Sequence, residues 1–230
     1  MATSYRYPIG ARPLLIEETV RRRRLEARFV ALLESAGFAE VVLPIIDFAE
    51  PYAAVTGREA ARGSYRFTDR DGELVAIRSD FTPMVARALA PSLSAEQLPL
   101  RVFYRGDVIR CEATRLGANR ELFQIGAELI GGEPADADVE MLRLAASIAG
   151  AFSADPLVVY SGAPDLDDPC FVLHEEDTDP GYYTGLRFWV YGNDRRRPIA
   201  QGGRYDALYG LFGTEAPAVG FTFTLDELED

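Results

Sequence analysis

The chain has 230 residues, of which 48% are hydrophobic and 26% charged, a composition typical of a globular protein. Its net charge of −12 argues against a polynucleotide as the main partner, because nucleic-acid binders carry a basic footprint. No apolar run is long enough to span a bilayer, so no membrane contact is expected. With one histidine, two cysteines and no secretory signal, we expect no zinc site and a cytoplasmic protein with free thiols.

The first half of the chain predicts a long helix followed by short strands. Residues 17–36 carry apolar side chains at helical spacing. Glu17 and Glu18 suit the start of this helix, and Gly37 suits the position after its last turn. The elements predicted next are a strand at 38–46 that is interrupted at Pro44, a hairpin at 64–78 with its turn at Asp71-Gly72, and a short helix at 82–91.

The second half predicts a strand hairpin, a second long helix and further strands. Asp136 or Asp138 is the candidate cap of that helix. Segment 153–180 is rich in Pro and Asp and is the only plausible boundary. The irregular alternation of helices and antiparallel strands indicates an α+β protein with helices packed on a sheet. The predicted elements are strands at 100–112 and 120–131, a helix at 138–152, strands at 157–162 and 186–192, a glycine-marked turn into a short helix at 201–213, and a strand at 218–225.

The second strand of the central hairpin carries different chemistry on its two faces. Side chains alternate along a strand, so Gln124, Gly126 and Glu128 share one face. The glycine between the two polar side chains is expected to leave space for a ligand. The same face also carries Arg120, Leu122 and Ile130, and the opposite, mostly apolar face, expected to meet the core, carries Glu121, Phe123, Ile125, Ala127 and Leu129.

These polar groups suit a small zwitterionic ligand. If the hairpin pairs its polar faces, Arg110 joins Gln124 and Glu128. A carboxylate can hold an ammonium group, and a guanidinium can hold a carboxylate or phosphate through two parallel hydrogen bonds. The alternative interpretation is a solvated sheet face with salt bridges, and the pattern alone does not decide between the two.

Other stretches add polar and aromatic candidates. Asp80 and Thr82 would point to one side if their segment is extended, and Tyr182, Tyr183 and Tyr205 offer flat rings for a planar heterocycle. Tyrosines in strands are also commonly just half-buried. Two arginine runs, at 21–24 and 195–197, are either solvated surface or a docking patch for an acidic partner.

Six stretches in order resemble the catalytic core of the class II histidyl-tRNA synthetases. The resemblance covers most of residues 10–228 and implies a single class II synthetase-like domain over 1–230, with a six-stranded antiparallel sheet flanked by helices. It also implies a homodimer built partly through the segment around Pro44. The stretches are GFAEVVLPII, YRFTDRDGELVAIRSDFTP, FYRGDVIRCEATRLGANRELFQIGAELIG, GYYTG, GGRYDAL and AVGFTFTLDEL.

The resemblance also implies a histidine-binding pocket. Asp80, Gln124 and Glu128 match the groups that hold the amino group, although Asp80 stands where the family usually has glutamate. Arg110 matches the arginine that contacts the ATP α-phosphate and the amino-acid carboxylate. Thr82 matches a neighbouring pocket residue, and the aromatic positions around the imidazole are matched by Tyr182, Tyr183 and Tyr205.

Two departures separate this chain from an active synthetase. Thr178 stands at the position of a catalytic arginine, and Glu227 at the arginine that holds the ATP γ-phosphate. Losing two cations from around the triphosphate is expected to cripple adenylate formation, because each is worth roughly a few kcal/mol. The insertion near 153–180 is also shortened, and no anticodon-binding domain is expected.

This combination is similar to the regulatory subunits of ATP phosphoribosyltransferase, paralogues of the synthetase. That similarity implies a non-catalytic chain without a cofactor, which joins the short-form catalytic subunit in a hetero-oligomer, activates it and takes part in histidine feedback. Two alternatives stay open. One is a minimal amino-acid-activating enzyme with a non-tRNA acceptor, and the other is a stand-alone histidine sensor.

Overall fold

The computed structural model describes residues 7–51, 55, 63–111, 119–163, 166–174 and 182–228. The helices whose two ends are both described are α1 (Ile16–Ser35), α2 (Thr82–Leu89) and α3 (Pro134–Phe152). Short 3-10 helices lie at Ala90–Ser92, Ala95–Gln97, Tyr209–Phe212 and Leu225–Glu227. The strands are β1 (Ala39–Glu40), β2 (Ile46–Phe48), β3 (Arg66–Thr68), β4 (Leu74–Ile77), β5 (Leu100–Ile109), β6 (Glu121–Ile130), β7 (Leu157–Ser161), β8 (Phe171–Leu173), β9 (Arg187–Tyr191), β10 (Pro198–Arg204) and β11 (Ala218–Thr224).

An eight-stranded sheet is the centre of the fold, in the order β1-β5-β6-β11-β10-β9-β7-β8. The six strands from β5 to β7 pair antiparallel, as the resemblance implied. One short parallel strand is added at each edge, β1 beside β5 and β8 beside β7. The predicted hairpin at 64–78 is confirmed as β3 and β4, and these strands form a second sheet with β2.

The two faces of the large sheet pack against different layers. On one face, α1 and α3 cover an apolar core that includes Phe29, Phe103 and Leu129. On the other face, a second cluster forms under α2 and includes Phe81, Tyr104 and Ile130. The prediction that the odd-numbered residues of β6 face the core is therefore confirmed from Phe123 to Leu129. Its even-numbered residues meet the second layer, from which the site is built.

Two sequence predictions about the sheet and α3 are wrong. Residues 201–204 form part of strand β10 rather than a turn. The two glycines allow neighbouring side chains and backbone to pack directly against this strand. A Cβ on Gly202 would lie 2.6 Å from the Phe188 ring. Helix α3 begins at Pro134 with Glu133 at its N-cap, so Asp136 and Asp138 both lie within the helix and neither is its cap. Asp138 has another role. Its carboxylate instead accepts two hydrogen bonds from the buried guanidinium of Arg204, at 2.9 and 2.7 Å.

The arginine runs bind within the chain more than the sequence indicated. Arg21 donates to the carbonyl of Leu228 at 3.1 Å, and Arg22 donates to Asp226 at 2.8 Å, so α1 is tied to the segment after β11. In the second run, Arg195 pairs with Asp155 and Arg197 pairs with Glu227. Arg21, Arg23 and Arg24 are nevertheless exposed and only Arg22 is half-buried, so the interpretation of the first run as a largely solvated helix face holds. In the described part of the chain, no helix has the length and apolar character needed to cross a membrane.

Candidate functional site

A cavity opens on the α2 side of the sheet, over the middle of β6, β11 and β10. Seven of the eight predicted site residues line it, and the carboxylate of the eighth, Glu128, lies over the lining residue Gly220. Sequence reasoning missed the contributions of β10 and β11. The lining residues are Asp80, Thr82, Arg110, Gln124, Tyr182, Tyr183, Gln201, Gly202, Tyr205, Gly220, Phe221 and Thr222.

Strand register explains why these residues meet. Glu128 pairs with Gly220 on β11, and Gly220 pairs with Gly203 on β10, so the three residues form one row across the sheet. Directly paired residues of antiparallel strands share a face. A Cβ on Gly220 would collide with both the Glu128 carboxylate and the Tyr205 hydroxyl. Glycine at position 220 therefore leaves room for two polar groups that converge from different elements.

Glu128 is the most deeply buried ionisable group of the site, with 1% of its surface exposed. Its Oε1 accepts a hydrogen bond from the Thr82 hydroxyl at 2.9 Å, whereas Oε2 has no hydrogen-bond partner among the described residues. Burial, together with the nearby charge of Asp80, raises the pKa of Glu128 to about 8. A buried carboxyl with one unused oxygen is available to a ligand that can donate a hydrogen bond.

Asp80 and Thr82 are held by the start of α2 rather than by an extended segment. The Thr82 amide donates to Asp80 Oδ1 at 3.2 Å, and the Tyr182 hydroxyl reaches Oδ2 at 3.5 Å. Burial raises the pKa of Asp80, and the positive charge of Arg110 opposes this shift. The cavity therefore places an acidic group and a cation within electrostatic reach of each other, as recognition of a zwitterion requires.

Three tyrosines form an aromatic wall. The rings of Tyr182 and Tyr183 are 4.8 Å apart, and those of Tyr182 and Tyr205 are 5.9 Å apart with edge-to-face geometry. Tyr205 is 2% exposed, and its hydroxyl has no hydrogen-bond partner among the described residues. Burial, followed by the negative charge of Asp80, raises the pKa of Tyr183 to about 12. The wall thus offers flat rings and one buried, unused hydroxyl.

Two expectations about this face are wrong. Gly126 does not leave space for a ligand, because the ring of Tyr104 fills that space, and a Cβ there would collide with the tyrosine hydroxyl. Tyr104 is held by stacking on Phe81 at 4.4 Å and by a 2.6 Å hydrogen bond to Thr222. The alternative of a solvated, salt-bridged face is also excluded, because Gln124 is 6% exposed and Glu128 is buried.

Of the two departures from the synthetase pattern, Glu227 lies outside the cavity. Glu227 is not among the residues that line the cavity, and its carboxylate pairs with Arg197 at 3.2 Å. Thr178 falls outside the described residues.

The six-stranded antiparallel sheet, with a polar cavity built on the β5-β6 hairpin, defines a class II aminoacyl-tRNA synthetase-like fold. The family model described as histidyl-tRNA synthetase matches residues 10–168 and 175–228. The chain belongs to the histidyl-tRNA synthetase family.

Similar sequences carry two different names. An ATP phosphoribosyltransferase regulatory subunit of Moorella thermoacetica is 27% identical over 96% of this chain and 80% of its own length. One of Symbiobacterium thermophilum is 40% identical over 63% of this chain and only 37% of its own length. A histidine–tRNA ligase of Methanocaldococcus jannaschii is 27% identical over 99% of this chain and 76% of its own length. Sequence similarity alone therefore does not separate the two roles.

Solved structures share the fold. A histidine–tRNA ligase subunit of Alicyclobacillus acidocaldarius has a TM-score of 0.83 and 24% identity, covering 98% of this chain and 96% of that one. An ATP phosphoribosyltransferase regulatory subunit/histidyl-tRNA synthetase of Bacillus halodurans has a TM-score of 0.84 and 20% identity, covering 98% of this chain and 83% of that one. At this identity the likeness supports the architecture and not the activity.

Proposed function

We propose that the chain is a regulatory subunit of ATP phosphoribosyltransferase that works in histidine biosynthesis and catalyses no reaction itself. The observation that carries this proposal is the sequence at two positions. The synthetase resemblance assigns triphosphate-binding arginines there, and this chain has Thr178 and Glu227. Relatives named as such regulatory subunits, including one aligned over 96% of the chain, support the same conclusion.

In this role the chain binds the short-form catalytic subunit in the cytoplasm, activates it and takes part in feedback by histidine. It does so as a homodimer within a hetero-oligomer. The exposed apolar side chains around Pro44 support the dimer, because Val42 is 89% exposed and Ile45, Ile46 and Phe48 are each close to half exposed. Apolar surface concentrated in this way is typical of a protein–protein interface.

The cavity is the proposed histidine site. Arg110 takes the carboxylate of the ligand, while Asp80 and Gln124 take its ammonium group. Glu128 was expected to hold the ammonium group as well, but its carboxylate is buried in the space over Gly220, which favours another role. Its Oε2 and the unused hydroxyl of Tyr205 both lie within 2.5 Å of the position that a Cβ on Gly220 would take, so they are placed to hydrogen-bond one nitrogen of an imidazole. The tyrosine rings then pack around the ligand ring.

A second candidate is a minimal amino-acid-activating enzyme that forms an adenylate and uses a non-tRNA acceptor. The alignment with a histidine–tRNA ligase over 99% of the chain favours it, as does the position of Arg110 at the cavity. This candidate requires ATP to bind productively despite the two lost arginines, and cation loss at a triphosphate typically slows the reaction strongly.

The deciding experiment measures the activity of a short-form phosphoribosyltransferase with and without this chain. We expect activity to rise with the chain, and the chain alone to show no histidine-dependent pyrophosphate exchange with ATP. Exchange that is abolished by Arg110→Ala would establish the activating enzyme instead. If the chain neither activates the transferase nor supports exchange but still binds histidine, it is a stand-alone histidine sensor.

A further inference from the structure

Strand β9 brings two large side chains to the edge of the cavity. Arg187 pairs with Gly203 on β10, and Trp189 pairs with Gln201, which lines the cavity. Because Gly203 lies in the same row as Glu128, both β9 side chains stand on the ligand side of the sheet. Neither residue belongs to the set that the sequence predicted for the site.

The guanidinium of Arg187 contacts two aromatic rings at once. Its central carbon lies 5.3 Å from the Tyr183 ring centroid and 4.8 Å from the Trp189 ring centroid. Both distances are within the range of favourable cation–π contacts. A planar guanidinium can stack on an aromatic face in a way that a neutral side chain of the same length cannot.

The ring of Tyr183 packs directly against the backbone of Gly203. A Cβ on Gly203 would lie 2.5 Å from the Cδ1 atom of Tyr183 and 2.7 Å from its Cε1 atom, so the ring occupies the space that a side chain would need. The positive charge of Arg187 also acts on the Tyr183 hydroxyl, since it lowers the pKa of that group against the larger effect of burial. The ring is thus confined by glycine on one strand and arginine on the next.

We propose that Arg187, supported by Trp189, is a positioning residue that holds Tyr183 against Gly203 and so fixes one wall of the ligand cavity. The ring contacts continue from Tyr183 to Tyr182 and from Tyr182 to Tyr205, whose hydroxyl reaches the floor beside Glu128. Loss of the Arg187 contact therefore loosens the wall that surrounds the ligand ring. The effect on ligand affinity rests on the proposed function, whereas the effect on Tyr183 does not.

The test uses the full chain labelled with 3-fluorotyrosine and observed by fluorine NMR. The chain has 11 tyrosines, so Tyr183→Phe assigns the Tyr183 resonance. Arg187→Ala should shift and broaden that resonance without ligand, and should weaken histidine binding about three- to tenfold. Arg187→Lys, which keeps a cation, should restore part of both effects. Arg196→Ala, in an exposed loop, removes the same charge and should change neither.

The outcomes separate the two proposals. A Tyr183 resonance that is unchanged in Arg187→Ala would overturn the positioning role, whatever histidine does. If histidine moves no tyrosine resonance in the unmodified chain, the proposed ligand is wrong, and the ligand-free Tyr183 signal still decides the role of Arg187. Arg187→Gln, which keeps most of the length and loses the charge, gives the same decision if Arg187→Ala does not fold. The emission of Trp189, the single tryptophan, gives an independent readout of the same contact.

Discussion

The two faces of strand β6 are equally buried but differ in how well their groups are satisfied. On the α1 and α3 side, Ile125 and Leu129 pack into a continuous apolar core. On the α2 side, Glu128 is just as buried, yet one of its carboxylate oxygens has no hydrogen-bond partner among the described residues. Unsatisfied buried polar groups are costly, and natural proteins keep few of them. The first face therefore maintains the fold, while the second keeps groups available for a ligand.

Truncating an apolar side chain on the α1 and α3 side of β6, the core face, should have the largest effect on stability. Leu129→Ala removes a side chain that is buried against the core and leaves a cavity, so we expect a loss of about 2–5 kcal/mol in the free energy of unfolding. Urea denaturation measures this loss. If the variant is destabilised by less than about 1 kcal/mol, the side chains on the α1 and α3 side of β6 do not maintain the fold.

On the α2 side of β6, which we call the ligand face, replacing Glu128 by an uncharged residue should stabilise the protein at high pH. The folded pKa is raised from 4.5 to about 8, so folding disfavours the ionised form. Below pH 4.5 the Glu128 carboxyl is protonated in both the folded and the unfolded protein, so no stability is lost. Between pH 4.5 and 8, stability falls as pH rises, by up to about 1.4 kcal/mol per pH unit.

The stability difference between Glu128→Gln and the unmodified chain should therefore change with pH in a definite direction. Glu128→Gln cannot ionise, so its stability relative to the unmodified chain should increase from pH 5 to pH 8, as urea denaturation at several pH values would show. A stability difference that stays constant over this range would mean that Glu128 titrates normally and that the ligand face carries no burial penalty. Asp80 is present in both proteins, so its own titration largely cancels.

The smallest effect is expected at the surface pair of Arg197 and Glu227. These side chains are 49% and 28% exposed, and exposed ion pairs contribute only about 0–1 kcal/mol. Glu227→Gln should therefore change the free energy of unfolding by less than about 1 kcal/mol and leave histidine binding unchanged. A large loss of histidine affinity in this variant would place Glu227 in the site, contrary to the described cavity.

The sequence predicted the two faces of β6 correctly because alternation along a strand is a local property. It also predicted seven lining residues, mainly through the family resemblance. It failed where the outcome depends on strand neighbours. The space above Gly126 is taken by Tyr104, which becomes its direct partner only through the β5-β6 register. The contribution of Arg187 depends likewise on the pairing of β9 with β10.

Short or ambiguous segments account for the other misses. Strand β8 has three residues at the edge of the sheet, too few for a recognisable alternation. The glycines at 202 and 203 are typical of a turn, yet they lie in β10 because neighbouring side chains and backbone occupy the space beside them. Distinguishing these cases requires knowing which atoms approach from elsewhere in the fold.

We infer that the α2 side of β6 is kept for binding histidine, and calorimetric titration of the chain with histidine decides whether it is. We predict that the unmodified chain, or its complex with the catalytic subunit, binds histidine in preference to other amino acids. Glu128→Ala and Gln124→Ala should each weaken binding by about 1–3 kcal/mol, the scale of leaving a buried donor or acceptor without its hydrogen-bond partner. Histidine affinity left unchanged by both substitutions would contradict the claim and would move the regulatory site to another surface.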